Sequence, residues 1–149
     1  MKKVTVYTDG SSLGNPGPGG YGAILMYNGH EKIVEGGEAH TTNNRMELRG
    51  VIEALKALKE PCEVALYSDS KYVIDCITQG WVYNWRDNNW RKADKSEALN
   101  IDLWQETLSL LQVHQVKFFW VKGHADNEYN NRCDKIATDF AKSLKEELS

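Results

Sequence analysis

The chain has 149 residues, the length of one domain at about 150 residues each. Its 41% hydrophobic and 26% charged residues exclude wholesale disorder, and no apolar run approaches the roughly 18 residues of a membrane span. A net charge of −3 argues against a generally basic nucleic-acid binder. Met1-Lys2-Lys3-Val4 turns directly into strand-like sequence, leaving no room for a signal peptide's apolar region. Cys62, Cys76 and Cys133 stand far apart on apolar faces, with no C-x-x-C pair and no zinc-like spacing. The expectation is one cytoplasmic domain over 1–149, with reduced thiols packed in its core.

Residues 3–9 alternate Val4, Val6 and Thr8 against Thr5, Tyr7 and Asp9, a period-2 strand ending on a carboxylate. Residues 10–20, crowded with glycine and proline, read as a loop. Residues 21–27 form a second strand, and Asn28-Gly29 is a hairpin signal into a third over 30–39. The period then changes. Leu48, Val51, Ile52, Leu55 and Leu58 mark an amphipathic helix over 44–59, ended by Pro61. A short strand at 63–68 precedes a helix at 70–78, and 81–91 reads as a short helix running into a loop. Residues 100–111 form another helix, with Trp104 on its core side, and 113–121 alternate again. A long helix over 126–148 closes the chain. This order predicts a mixed sheet with an antiparallel half and a helix-connected parallel half.

Four acids occupy unusual positions. Asp9 and Asp69 each end a strand, Glu47 lies in the first turn of the first long helix, and Asp134 lies between buried positions of the last. Strand ends border the crevice where open α/β sheets bind ligands, so an all-oxygen cluster there predicts raised pKa values or bound hard cations. Each acid also has a plainer reading. Asp69 caps the helix at 70–78, Glu47 completes a capping box from Asn44, Asp134 is an exposed helix residue, and Asp9 closes a loop beside Gly10.

Five ordered blocks bear on that choice: Tyr7-Thr8-Asp9-Gly10-Ser11, Thr41-Thr42-Asn43-Asn44-Arg45-Met46-Glu47, Tyr67-Ser68-Asp69-Ser70, Val121-Lys122-Gly123-His124-Ala125 and Arg132-Cys133-Asp134. Together, over nearly the whole chain, they closely resemble the ribonuclease H family in its bacterial type-1 form. The resemblance implies an α/β fold with a mixed five-stranded sheet, three antiparallel strands plus two parallel, and helices on both faces. It also implies endonucleolytic cleavage of the RNA strand of RNA–DNA hybrids. Metal ligands carry over onto Asp9, Glu47, Asp69 and Asp134, and a catalytic histidine onto His124. Oxygen-only ligands suit Mg²⁺, with Mn²⁺ as a substitute, and the resemblance points to two ions about 4 Å apart with 5′-phosphate and 3′-hydroxyl products. His124, on a loop, suits proton transfer or product release, whereas His30, His40 and His114 read as surface histidines.

For substrate, the resemblance points to the helix start at Thr42, Asn43 and Asn44 beside the RNA 2′-hydroxyls, and to Gly10 and Asn15 near the backbone. Residues 81–95 hold three of the five tryptophans and set four basic side chains against two acidic ones. Trp81 and Trp85 are the candidate stacking residues there, against the reading that Trp85 and Trp90 are core anchors. Departures from the family pattern are Asp87 in this basic stretch, Asn131 for a glutamate, Asp126 for a small loop residue, and Lys71 where a glutamine often stands, which makes Lys71 a candidate substrate contact with a point charge in place of an amide. A monomer acting on the hybrid duplex is expected. The alternatives are a non-catalytic hybrid-binding module and a same-fold DNA nuclease.

Overall fold

The computed structural model describes residues 1–123 and 126–149. Five strands form one sheet: β1 (Lys2–Ser12), β2 (Gly17–Tyr27), β3 (His30–Thr41), β4 (Cys62–Ser68) and β5 (Gln115–Trp120), in the order β3-β2-β1-β4-β5. The first three pair antiparallel, and β4 and β5 add in parallel beyond β1. Asn28 and Gly29 both take positive φ, 48° and 78°, as a two-residue hairpin turn requires. The helices are α1 (Asn43–Lys56), α2 (Lys71–Thr78), α3 (Trp81–Asp87), α4 (Ile101–Val113) and α5 (Glu128–Leu148). None of these helices is long and apolar enough to cross a membrane.

Strand alternation divides the sheet into two packed faces. Val6 of β1 and Leu66 of β4 bury against Leu48, Ile52 and Leu55 of α1, with Trp104 of α4 closing the layer. Each such side chain contributes roughly 1.5–3 kcal/mol by leaving water. On the opposite face α5 packs over β1, β2 and β3, burying Cys133, Ala137 and Ala141. There Tyr7, Tyr67 and Phe119 stack ring on ring across β1, β4 and β5, at 4.8 and 5.0 Å. The mixed sheet with helices on both faces matches the expected architecture.

Three local expectations are corrected. The glycine-rich stretch is mostly strand, because β1 continues to Ser12 and β2 begins at Gly17, so Asp9 lies inside β1, paired with Gly22, and does not end the strand or close a loop. Gly20 and Gly22 face α5, where a Cβ would strike the Ala137 carbonyl and the Ile136 side chain, so close approach rather than turning accounts for these glycines. The first helix opens at Asn43 with Thr42 as its cap, whose hydroxyl accepts from Arg45 N–H at 3.3 Å; no capping box runs from Asn44 to Glu47. His114 is no surface histidine. It is buried after α4, and its Nδ1 accepts the Cys62 N–H at 3.0 Å. The three cysteines are free and buried, as expected.

Candidate active site

Parallel register brings two of the acids together. Thr8 of β1 and Ser68 of β4 are the last parallel pair, so the next residues, Asp9 within β1 and Asp69 just past β4, lie side by side on one face. The cap role proposed for Asp69 falls to its neighbour: the Ser70 hydroxyl accepts the Val73 N–H at 3.2 Å. Asp69 is held instead by β5. Its main-chain carbonyl accepts from Trp120 Nε1 at 3.2 Å, and the neighbouring Asn130 side chain acts to lower the pKa of its carboxyl.

Glu47 arrives from the other layer. Gly10 has no side chain, and a Cβ there would overlap the backbone of Met46 and Glu47, so α1 can press directly on β1 at this point. The Gly10 N–H then donates to Asp9 Oδ1 at 2.8 Å and to Glu47 Oε1 at 2.9 Å. One carboxylate oxygen from each of Asp9, Glu47 and Asp69 lies within 4.8 Å of the other two. Asp134 lines the same depression, of about 330 Å³, one helical turn beyond Asn130 on α5.

The electrostatics are those of an uncompensated anionic cluster. Burial, with the charges of Asp69 and Asp134 adding to it, pushes the Asp9 carboxyl up to about 7. Burial and then the neighbouring Asp9 hold Glu47 well above its ordinary range. Asp69 is raised by burial and by Asp134, against the lowering effect of the Asn130 amide. Asp9 Oδ2 and Glu47 Oε2 are buried without a hydrogen-bond partner among the described residues. Buried acceptors are ordinarily satisfied, and oxygen-only donors at this spacing fit a hard divalent cation.

The remaining site expectations divide. Gly10, Asn43, Asn44 and Lys71 line the carboxylate depression. Asn43 Oδ1 is already engaged, accepting the Ser12 N–H at 2.7 Å, and Thr42 serves as the helix cap. Asn15 is exposed between β1 and β2 and does not line the depression. Trp81 and Trp85 line a separate groove of about 590 Å³ with Arg91, Lys92 and Lys95. Trp81 is exposed, while Trp85 and Trp90 also pack against the core. His124 lies outside the described residues. Sequence reasoning missed Asn130 and Trp120: an asparagine in the first turn of a helix reads as a cap, a role that Asn127 fills by accepting the Asn130 N–H at 2.9 Å.

The profile of the RNase H family matches residues 1–142. The ribonuclease H of Acetivibrio thermocellus is 58% identical over 142 residues, covering 95% of this chain and 97% of that protein. LC9-RNase H1, described as a type 1 RNase H with the type 2 active-site motif, is 36% identical with a TM-score of 0.86, over 97% of this chain and 74% of that one. LC11-RNase H1, solved in complex with an RNA/DNA hybrid, shares the fold at 22% identity and a TM-score of 0.73, over 98% and 99% of the two chains.

Proposed function

As the chain belongs to the ribonuclease H family, we propose that it is a divalent-metal-dependent endonuclease hydrolysing the RNA strand of RNA–DNA hybrids at the carboxylate crevice. The observation that carries this reading is the triad of Asp9, Glu47 and Asp69, with two orphaned buried oxygens, where the parallel pairing of β1 and β4 stops.

Asp9, Glu47, Asp69 and Asp134 would hold Mg²⁺, two ions with substrate, and Mn²⁺ is the substitute of similar chemistry. When bound, such ions supply the positive charge that draws in the scissile phosphate and acidifies the attacking water. The protein's own part is geometric. Gly10 N–H fixes one oxygen each of Asp9 and Glu47, and Trp120 Nε1 anchors the Asp69 main chain, so the negative charge is preassembled. Asn43 and Asn44 border the crevice at a helix start, where amides and N–H groups suit RNA 2′-hydroxyls and phosphates. The groove of Trp81 and Trp85, with its three cations, suits the phosphates and sugars of the DNA strand. His124 serves the leaving group or product release, and His124→Ala should slow turnover about 10²-fold. Products are a 5′-phosphate and a 3′-hydroxyl, and the acting species is a monomer of one cytoplasmic domain.

End-labelled RNA–DNA, RNA–RNA and DNA–DNA duplexes incubated with the protein in Mg²⁺, with EDTA as control, test this. Mg²⁺-dependent cutting of RNA in the hybrid alone is the expected result. Preferential DNA cutting, or binding of the hybrid without cleavage, would overturn it.

A further inference from the structure

Lys71 opens α2 immediately after the cap residue Ser70 and borders the carboxylate depression. Its ammonium lies 4.4 Å over the ring of Trp120, the last residue of β5. The same indole donates its N–H to the main-chain carbonyl of Asp69. Trp120 is 44% exposed, so it is not spent on the core. One exposed side chain thus links the position of a cation to the backbone of a crevice carboxylate.

Lys71 enters no salt bridge with the described residues, although Asp75 stands one turn along the same helix. A lysine on an exposed helix start ordinarily spreads its charge through many rotamers. Here an aromatic face restrains the ammonium beside a crevice lined by four acidic side chains. An ammonium is a compact point charge that suits a phosphodiester oxygen and carries no planar fork for reading a base edge.

The geometry points to a phosphate subsite: Lys71, positioned by Trp120, binds one backbone phosphate of the nucleic-acid duplex beside the carboxylate crevice. This rests on the reading of the crevice as a hybrid-nuclease site and adds a sequence-independent, salt-sensitive contact to it. Trp120 is a positioning residue, acting on the duplex through Lys71 while its N–H also anchors the Asp69 main chain.

The test is equilibrium binding of a fluorescently labelled RNA–DNA hybrid, followed by anisotropy in EDTA so that no cleavage intervenes. Each phosphate contact adds about 0.7–0.9 to the slope of log affinity against log salt. Between about 50 and 200 mM KCl the wild-type protein should therefore lose about threefold more affinity than Lys71→Gln. Lys71→Arg should keep the wild-type slope. Trp120→Leu retains the charge, so it should keep the slope but bind more weakly at every salt concentration. Equal slopes for wild type and Lys71→Gln overturn the contact, as does a Lys71→Gln protein altered only in Mg²⁺ affinity by calorimetry. Lys71 is exposed, so its variants carry the result even if Trp120→Leu lowers Tm. Cleavage in Mg²⁺ is scored separately: a wild-type protein that cuts hybrids while the slopes coincide loses this subsite alone.

Discussion

Asp9 and Glu47 accept hydrogen bonds from one and the same donor, the Gly10 N–H, although one comes from the sheet and the other from the helix layer packed on it. A single neutral donor cannot compensate two buried carboxylates. Without metal, the pair must retain protons, which is what the upward displacement of both groups expresses.

That retention has a measurable sign. Asp9 titrates near 7 in the folded chain against an ordinary 3.8, so the folded state binds this proton more tightly than the unfolded state. Its contribution is fully present below about pH 4 and is lost as pH rises through about 7. From about pH 5 to 8 the metal-free protein should lose on the order of 2 kcal/mol from this group. Thermal melts in EDTA check it, with Asp9→Asn as the comparison. The variant should be more stable than wild type at pH 8, and Mg²⁺ should stabilise the wild type alone. A variant less stable than wild type at that pH would contradict the burial argument.

Asp69 and Ser70 are adjacent but have separate duties, which two substitutions should resolve. Ser70→Ala removes the acceptor for the Val73 N–H and should cost about 1 kcal/mol of stability. Asp69→Asn leaves that cap intact, so it should hold or raise Tm while abolishing Mg²⁺-dependent cleavage. Denaturant melts and hybrid-cleavage rates on both variants separate the two effects. Full activity in Asp69→Asn would remove it from the ligand set.

Gly10→Ala should be severe on both counts. The new methyl group has the backbone of Met46 and Glu47 in its way, and overpacking of that kind costs about 1–3 kcal/mol. The more telling loss is activity. Displacing Glu47 by about 1 Å should lower kcat by at least about 10²-fold. Cleavage kinetics on folded variant, verified by circular dichroism, measure this.

His114 offers the converse case, a titratable residue whose duty is structural. His114→Ala strips the Cys62 N–H of its acceptor in a buried position and should cost about 1–3 kcal/mol. It lines no part of the carboxylate depression, so kcat should stay near that of wild type at a temperature where the variant is folded.

Much of this was legible in the residues, and the misreadings share a cause. Alternation through Val4, Val6 and Thr8 and helical spacing through Leu48, Ile52 and Leu55 are local signals, and each produced the expected element. The parallel half followed from the order of elements. Gly20 and Gly22 misled because glycine serves turns and close packing alike, and only the position of α5 distinguishes them. His114 misled because its partner, Cys62, is 52 residues away. In the candidate site, motif blocks and not spacing single out Asp9, Glu47 and Asp69, which the structure brings together. Trp120 anchors the Asp69 main chain from β5 and Asn130 of α5 lowers the pKa of its carboxyl, relationships that no local pattern encodes.

The pairing of Thr8 with Ser68 has a consequence for how such a chain can change over time. Side chains alternate across a strand, so one residue inserted or deleted within β4 would turn Asp69 toward the α1 layer and bring Ser68 or Ser70 to its place. Lengthening a surface loop carries no such penalty. Variation among related chains should therefore accumulate as insertions around the rim, while the spacing from Cys62 to Asp69 stays invariant even where the side chains between them drift.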